Sequence, residues 1–87
     1  MIYIIDHQDS FTHNVVHQFE NFDDVVCTNF NEINENKLKK ADIIVFSPGP
    51  RAPKDYPVSS QIYKKYKGSK KIIGICLGFQ QILHCEN

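Results

Sequence analysis

Three short apolar runs, Ile2 to Ile5, Ile43 to Phe46 and Ile72 to Ile75, are almost unbroken and rich in β-branched residues. Strands that alternate polar and apolar side chains keep one face in water. Unbroken runs of this length belong to strands covered on both faces, as in a parallel sheet between layers of helix. Val25-Val26-Cys27-Thr28 adds a fourth, briefer strand.

Helical signals fill the gaps. Phe11, Val15, Val16, Phe19 and Phe22 recur at helical spacing, and Asp9 or Ser10 is placed to cap the first turn, which predicts a helix from about Ser10 to Asn21. Glu35 to Ala41 reads as a short, mostly exposed helical turn. Pro48, Pro50, Pro53 and Pro57 stiffen the next loop and exclude helix before Pro57, which suits a first turn. Val58, Ile62 and Tyr66 form the stripe of that helix, which ends near Gly68, and a last helix begins at about Gly78.

Strands alternating with helices over short connections imply an α/β fold: a three-layer, flavodoxin-like parallel sheet. With 87 residues there is room for one core at most. Ten basic and ten acidic residues leave no net charge to attract a phosphate backbone, so nucleic acid is not an expected partner. The start of the chain carries no basic leader and no apolar stretch long enough to span a bilayer, which points to a cytoplasmic protein without a membrane partner. Cys27, Cys76 and Cys85, two of them in strongly apolar stretches, are an odd number and lack metal-ligand spacing; neither a disulfide framework, a metal nor another cofactor is expected.

In such a sheet, ligands sit beyond the carboxyl ends of the strands, here Asp6, Ser47 and Cys76. Cys76 stands between a strand and a helix start, whose unpaired N–H groups and partial positive charge favour a thiolate. Gly74 and Gly78 flank it two residues away on either side, the spacing a sharp strand-to-helix elbow needs. Taken alone, the same cysteine reads equally well as a small apolar residue closing a strand.

Two other motifs decide between these readings. Gly74-Ile75-Cys76-Leu77-Gly78-Phe79-Gln80 resembles the nucleophile segment of class I glutamine amidotransferases, and Ser47-Pro48-Gly49-Pro50 resembles their oxyanion loop. Asp6-His7-Gln8-Asp9-Ser10-Phe11-Thr12-His13-Asn14 is similar to the N-terminal signature of the glutaminase subunits of anthranilate synthase and aminodeoxychorismate (para-aminobenzoate) synthase.

The resemblance runs from Met1 to about Leu83. It implies that Cys76 attacks the side-chain amide of glutamine, that the backbone N–H groups of Gly49 and Leu77 hold the oxyanion, and that the ammonia passes to a chorismate-using synthase subunit. By the same resemblance Gln80 holds the substrate glutamine, although a solvated amide is its plain alternative. Pro48 and Arg51 lie on the substrate side of the oxyanion loop. Arg51 stands where the family usually has a second glycine, which leaves open whether it bends the loop or pairs with the substrate carboxylate. Asp9, Ser10 and Asn14 match the signature in roles that fix the loop.

The family places its general-base histidine and orienting glutamate in a later segment with no counterpart in residues 1–87. The chain is therefore expected to be the N-terminal portion of a single amidotransferase domain, inactive alone, with a sheet edge exposed and a tendency to self-associate. His84, about two helical turns from Cys76, is too far along its helix to serve as base. His7, His13 and His17 read as ordinary surface histidines. Two alternatives remain: a non-catalytic remnant that docks on the synthase subunit, and a receiver domain, which needs an aspartate where this chain has Phe46-Ser47. The resemblance does not choose between the tryptophan and folate branches, with a slight lean to folate.

Overall fold

Strand β1, Ile2–Asp6, is buried at every position but its last, because it has a neighbour on both sides. The computed structural model describes residues 1–8 and 12–86. In it β1 pairs in parallel with β2, Val25–Asn29, and with β3, Ile43–Phe46; β4, Lys71–Gly74, then pairs with β3. The order is β2-β1-β3-β4, all parallel, so every strand delivers its carboxyl end to the same edge. Ile2 lies opposite both Val25 and Ile43, and Phe46 opposite Gly74.

The two faces of β1 feed two cores. Tyr3 and Ile5, with Ile44 and Phe46, meet Leu38, Ala41, Ile62, Tyr63 and Tyr66 from the helical side. Ile2, Ile4 and Val45 meet Val15 on the other. Each fully buried side chain of this size contributes about 1.5–3 kcal/mol, and β1 and β3 supply most of the largest ones.

Helix α1, Thr12–Phe19, ends two residues before the Asn21 that the sequence predicts. The proposed caps Asp9 and Ser10, and Phe11, lie outside the described residues. At the far end the N–H groups of Phe22 and Asp23 bond back to Phe19 O, so the chain leaves the helix axis after Phe19. Phe22 consequently points outward, 81% exposed, rather than completing the apolar stripe.

Helix α2, Glu35–Lys40, has six residues and survives on two anchors. Asn34 Oδ1 accepts from the Lys37 N–H at 3.1 Å, and Leu38 is wholly buried. The proline loop, expected to have no helix, contains one 3-10 turn, Pro53–Asp55. Pro53 starts it without losing a needed donor, and Asp55 Oδ2 reaches back to the Ala52 N–H at 3.0 Å.

Helix α3, Pro57–Tyr66, starts at the expected proline but buries Ser59, Ile62, Tyr63 and Tyr66. Val58, assigned to the stripe from sequence, is one position off that face and 42% exposed. The fourth strand is also not buried on both faces. It lies at the edge with only β3 beside it, and Ile73 is 37% exposed. Helix α4, Leu77–Glu86, packs over β4 and α3. No described helix is long and apolar enough to cross a membrane.

Candidate active site

Asp6 closes β1, Ser47 follows β3, and Cys76 follows β4, so parallel pairing brings three distant segments to one edge. Asp6 serves the loop rather than a ligand: its Oδ1 accepts from the Gln8 N–H at 2.8 Å and from Thr12 Oγ at 3.0 Å. Asn14, on α1, is exposed, while Asp9 and Ser10 lie outside the described residues.

Cys76 occupies the left-handed region, φ 53°, and is exposed. An L-residue in that region costs about 1–2 kcal/mol relative to its ordinary conformations. The strain exists because the flanking glycines permit a turn too tight for side chains. A Cβ on Gly74 would lie 2.5 Å from Gly78 C and 2.6 Å from Phe79 N, and one on Gly78 would strike the carbonyl of Phe46. Neither glycine has positive φ; they provide space, and the bend falls on the cysteine. Three backbone bonds lock the elbow: Ile75 N–H to Phe46 O at 3.0 Å, Gly78 N–H to Ile75 O at 2.9 Å, and Gln80 N–H to Cys76 O at 3.0 Å. Cys76 thus caps α4 and holds its sulfur outside the core. Of the other two cysteines, Cys27 is exposed on the edge strand β2, whereas Cys85 is half-buried and packs against the core from α4.

Across from the elbow, Pro48 is buried and Gly49 wedges between β1 and α4. A methyl group on Gly49 would collide with the Leu77 side chain and come within 2.7 Å of His7 Cβ. Only glycine lets the loop lie this close to the helix start. Among the described residues, neither the Gly49 nor the Leu77 N–H is bonded to protein, which leaves both donors free for an external acceptor. Leu77 itself is buried, and Arg51 is exposed.

His7 is the main surprise. Expected at the surface, it is fully buried because its ring lies against Phe30, Phe46 and Tyr56. Nδ1 lies 3.1 Å from Ser47 O and Nε2 lies 2.8 Å from Ser59 Oγ. A carbonyl only accepts, so Nδ1 carries the proton and Nε2 accepts from Ser59. Burial holds the pKa of His7 below the usual 6.5, against the raising effect of the Ser47 bond and of Asp6. The ring is neutral and committed. His13, His17 and His84 are exposed, and among the described residues no imidazole is hydrogen-bonded to Cys76.

Gln80 is exposed on α4, free to meet a ligand, while its neighbour Gln81, to which the sequence assigned no role, is completely buried. Gln81 Nε2 lies 3.1 Å from both Pro53 O and Tyr56 O and 2.6 Å from Ser60 Oγ, three acceptors that share its two protons. It fastens α4 to the proline loop and α3. Two adjacent glutamines in a helix face different ways, and that was the available signal. Among the described residues no three His, Cys, Asp or Glu side chains are grouped to hold a metal ion. A groove of about 330 Å³ lies at the opposite, amino end of the strands, lined by Asp42, Lys70 and Lys71 among others. Lys70 Nζ there is committed to the carbonyls of Lys39 and Ala41, and Cys76 and the Gly49 loop lie at the other edge.

Comparisons with known proteins point to one family. Residues 3–85 match the family model described as glutamine amidotransferase class-I. Anthranilate synthase component 2 of Lactococcus lactis is 44% identical over 84 residues, 95% of this chain and 42% of that protein. The protein of the same name from Cyanidium caldarium is 39% identical over 100% of this chain and 46% of its own. Aminodeoxychorismate/anthranilate synthase component 2 of Bacillus subtilis is 34% identical, over 94% and 44%. The chain thus spans somewhat under half the length of the curated relatives it matches. A solved structure from Thermoplasma acidophilum, described provisionally as one subunit of a GMP synthase, superposes over 99% of this chain and 44% of its own with a TM-score of 0.76 and 25% identity. These matches leave no place for a receiver domain.

Proposed function

The chain belongs to the class-I glutamine amidotransferase family, and from that membership we propose that it carries the nucleophile and oxyanion portion of a glutaminase, working with a chorismate-using synthase subunit. The observation behind this reading is the strained elbow: an exposed Cys76 at φ 53°, with the Gly49 loop packed on the first residue of the helix that follows.

In the proposed chemistry the Cys76 thiolate adds to the carboxamide carbon of glutamine, and the negative charge moves to the amide oxygen. The free N–H groups of Gly49 and Leu77 receive that oxygen, each worth about 3–4 kcal/mol in such sites. Collapse of the adduct breaks the C–N bond, the nitrogen leaves as ammonia with a proton taken up, and a γ-glutamyl thioester remains for water to hydrolyse. Gln80 and Arg51, both exposed near the elbow and its facing loop, contact the amino acid portion, and Pro48 shapes the loop beneath it. A base must take the Cys76 thiol proton and, once protonated, deliver it as an acid to the leaving nitrogen. His7 is neutral and occupied at both ring nitrogens, so residues 1–87 alone are expected to capture an electrophile at Cys76 and to turn glutamine over poorly.

Residues 1–87 form, in this reading, the N-terminal portion of one amidotransferase domain. The proposed compartment is the cytoplasm, where three unpaired thiols, two of them exposed, stay reduced. The lean toward the folate branch gains no support from the relatives, whose names favour anthranilate synthase. The synthase subunit would decide the product.

Treatment with the γ-chloromethyl ketone analogue of glutamine, followed by peptide mapping, tests the proposal. Labelling should concentrate on Cys76 and vanish in Cys76→Ser. Equal labelling at exposed Cys27 would refute a special role for Cys76. The docking alternative rests on Phe79 and Leu83, which stand 55% and 46% exposed on α4; co-purification with the synthase subunit by a chain that the ketone does not label would favour it.

A further inference from the structure

His7 touches the oxyanion loop at more points than any packing role requires. Its own N–H donates to Ser47 Oγ at 3.0 Å, and its ring Nδ1–H donates to Ser47 O at 3.1 Å. Its carbonyl accepts from Tyr56 O–H at 3.4 Å. Its Cβ and carbonyl oxygen form the wall against which Gly49 lies. Ser47 Oγ, having accepted from His7, spends its one proton on Pro48 O at 3.1 Å. The peptide chain from Ser47 to Gly49 is therefore gripped from one side by a single residue of β1's exit. On the far side, Ser59 Oγ holds Nε2 at 2.8 Å, with Ser59 only 1% exposed.

Both ring nitrogens thereby have fixed and opposite roles. Were the proton on Nε2, two acceptors would face each other at Ser47 and a buried carbonyl would lose its donor, at the cost of an unsatisfied buried group. Phe30 and Tyr56, themselves in edge contact with ring centroids 4.9 Å apart, prevent the ring from rotating to another arrangement.

We propose that His7 is a positioning residue for the reaction at Cys76: its Nδ1–H, through the Ser47 carbonyl, sets the loop so that the Gly49 N–H meets the developing oxyanion. This rests on the glutaminase reading above, and the substrate oxygen concerned is that of a γ-carboxamide or an isosteric ketone. Ser59 orients the ring and supplies no contact to the loop. The distinction between the two nitrogens makes the idea testable, because asparagine places its amide nitrogen where Nδ1 stands and glutamine places its own where Nε2 stands.

The experiment compares two rates at Cys76 on the full chain. The Cys76 thiolate, its proton lost to buffer, first adds to the ketone carbon of the γ-chloromethyl ketone of glutamine to give a tetrahedral oxyanion; the sulfur then transfers to the chloromethyl carbon, the C–S bond at the ketone carbon breaking as C=O re-forms and chloride leaves. Iodoacetamide alkylates by direct displacement of iodide and needs no oxyanion donor. Their rate ratio reports the donors and is insensitive to exposure of the thiol. His7→Asn should keep the ratio within about twofold, and His7→Gln should lower it about tenfold or more. Equal ratios in the two His7 variants, or the opposite ranking, would overturn the proposal. Should either His7 variant lose its melting transition, the ring nitrogens of the unaltered protein decide by NMR: an Nδ1–H tautomer supports the assignment and an Nε2–H tautomer overturns it. Absence of selective ketone labelling in the unaltered chain would instead mark the glutaminase reading as the failure.

Discussion

Gly78→Ala is the substitution whose sign the fold reverses. Gly78 lies in the first turn of α4, where alanine ordinarily gains about 1 kcal/mol over glycine. Here the added Cβ would drive into the carbonyl of Phe46 and lie 2.8 Å from Phe46 Cβ. Phe46 ends β3, hydrogen-bonded between β1 and β4, and its backbone has nowhere to move. Overpacking against such a neighbour costs about 1–3 kcal/mol and occasionally more, so the helical gain is overrun by about 2 kcal/mol at the upper end. In a domain of this size that lowers the melting temperature by about 8–16 °C. Gly68→Ala supplies the control: nothing lies within 4 Å of a Cβ there and its φ is not positive, so it should gain about 0.4–1 kcal/mol through the unfolded chain. Urea and thermal melts of both variants, followed by circular dichroism, measure the difference directly. A Gly78→Ala protein that melts at or above the parent would refute the account of the elbow as a turn limited by contact with β3.

Two further expectations concern the buried polar groups. His7 has a folded pKa below 6.5 because of burial. The unfolded chain therefore binds a proton first as pH falls, so stability is full above about 6.5 and declines as pH drops from there toward the lower folded value; pH-dependent urea melts should show this slope, and His7→Asn should remove it. Gln81→Leu should cost about 1–3 kcal/mol by removing the side-chain bonds that fasten α4 to Pro53 O and Tyr56 O, which keep only their backbone partners Tyr56 N–H and Ser60 N–H, with hydrogen exchange accelerating first at the Asp55 and Tyr56 amides.

The strands were legible because an unbroken apolar run has almost nowhere to go in a folded chain except a covered strand. Their depth was not: Ile72 to Ile75 looks as buried as Ile2 to Ile5, yet β4 lies at an edge, and which strand sits at the edge depends on pairing order rather than composition. Phe22 and Val58 mark a similar limit, since helical spacing predicts a stripe but not where the helix ends or which residue begins the buried face. The elbow was read from Gly74, Cys76 and Gly78, although the positive φ at Cys76 and the close packing of Gly78 on Phe46, a residue far away in the chain, were not. His7 and Gln81 escaped because polar side chains become structural only when several distant acceptors meet them, and no local pattern encodes Ser47, Ser59, Pro53 and Tyr56 together.

The left-handed backbone at Cys76 has a practical corollary. Fraying of the first turn of α4 would release the Gln80-to-Cys76 bond and let that residue swing to a relaxed dihedral, carrying the thiol with it. The sulfur is thus a built-in strain gauge: its alkylation kinetics should register breathing of the adjoining helix under gentle warming, well before any global melting signal appears.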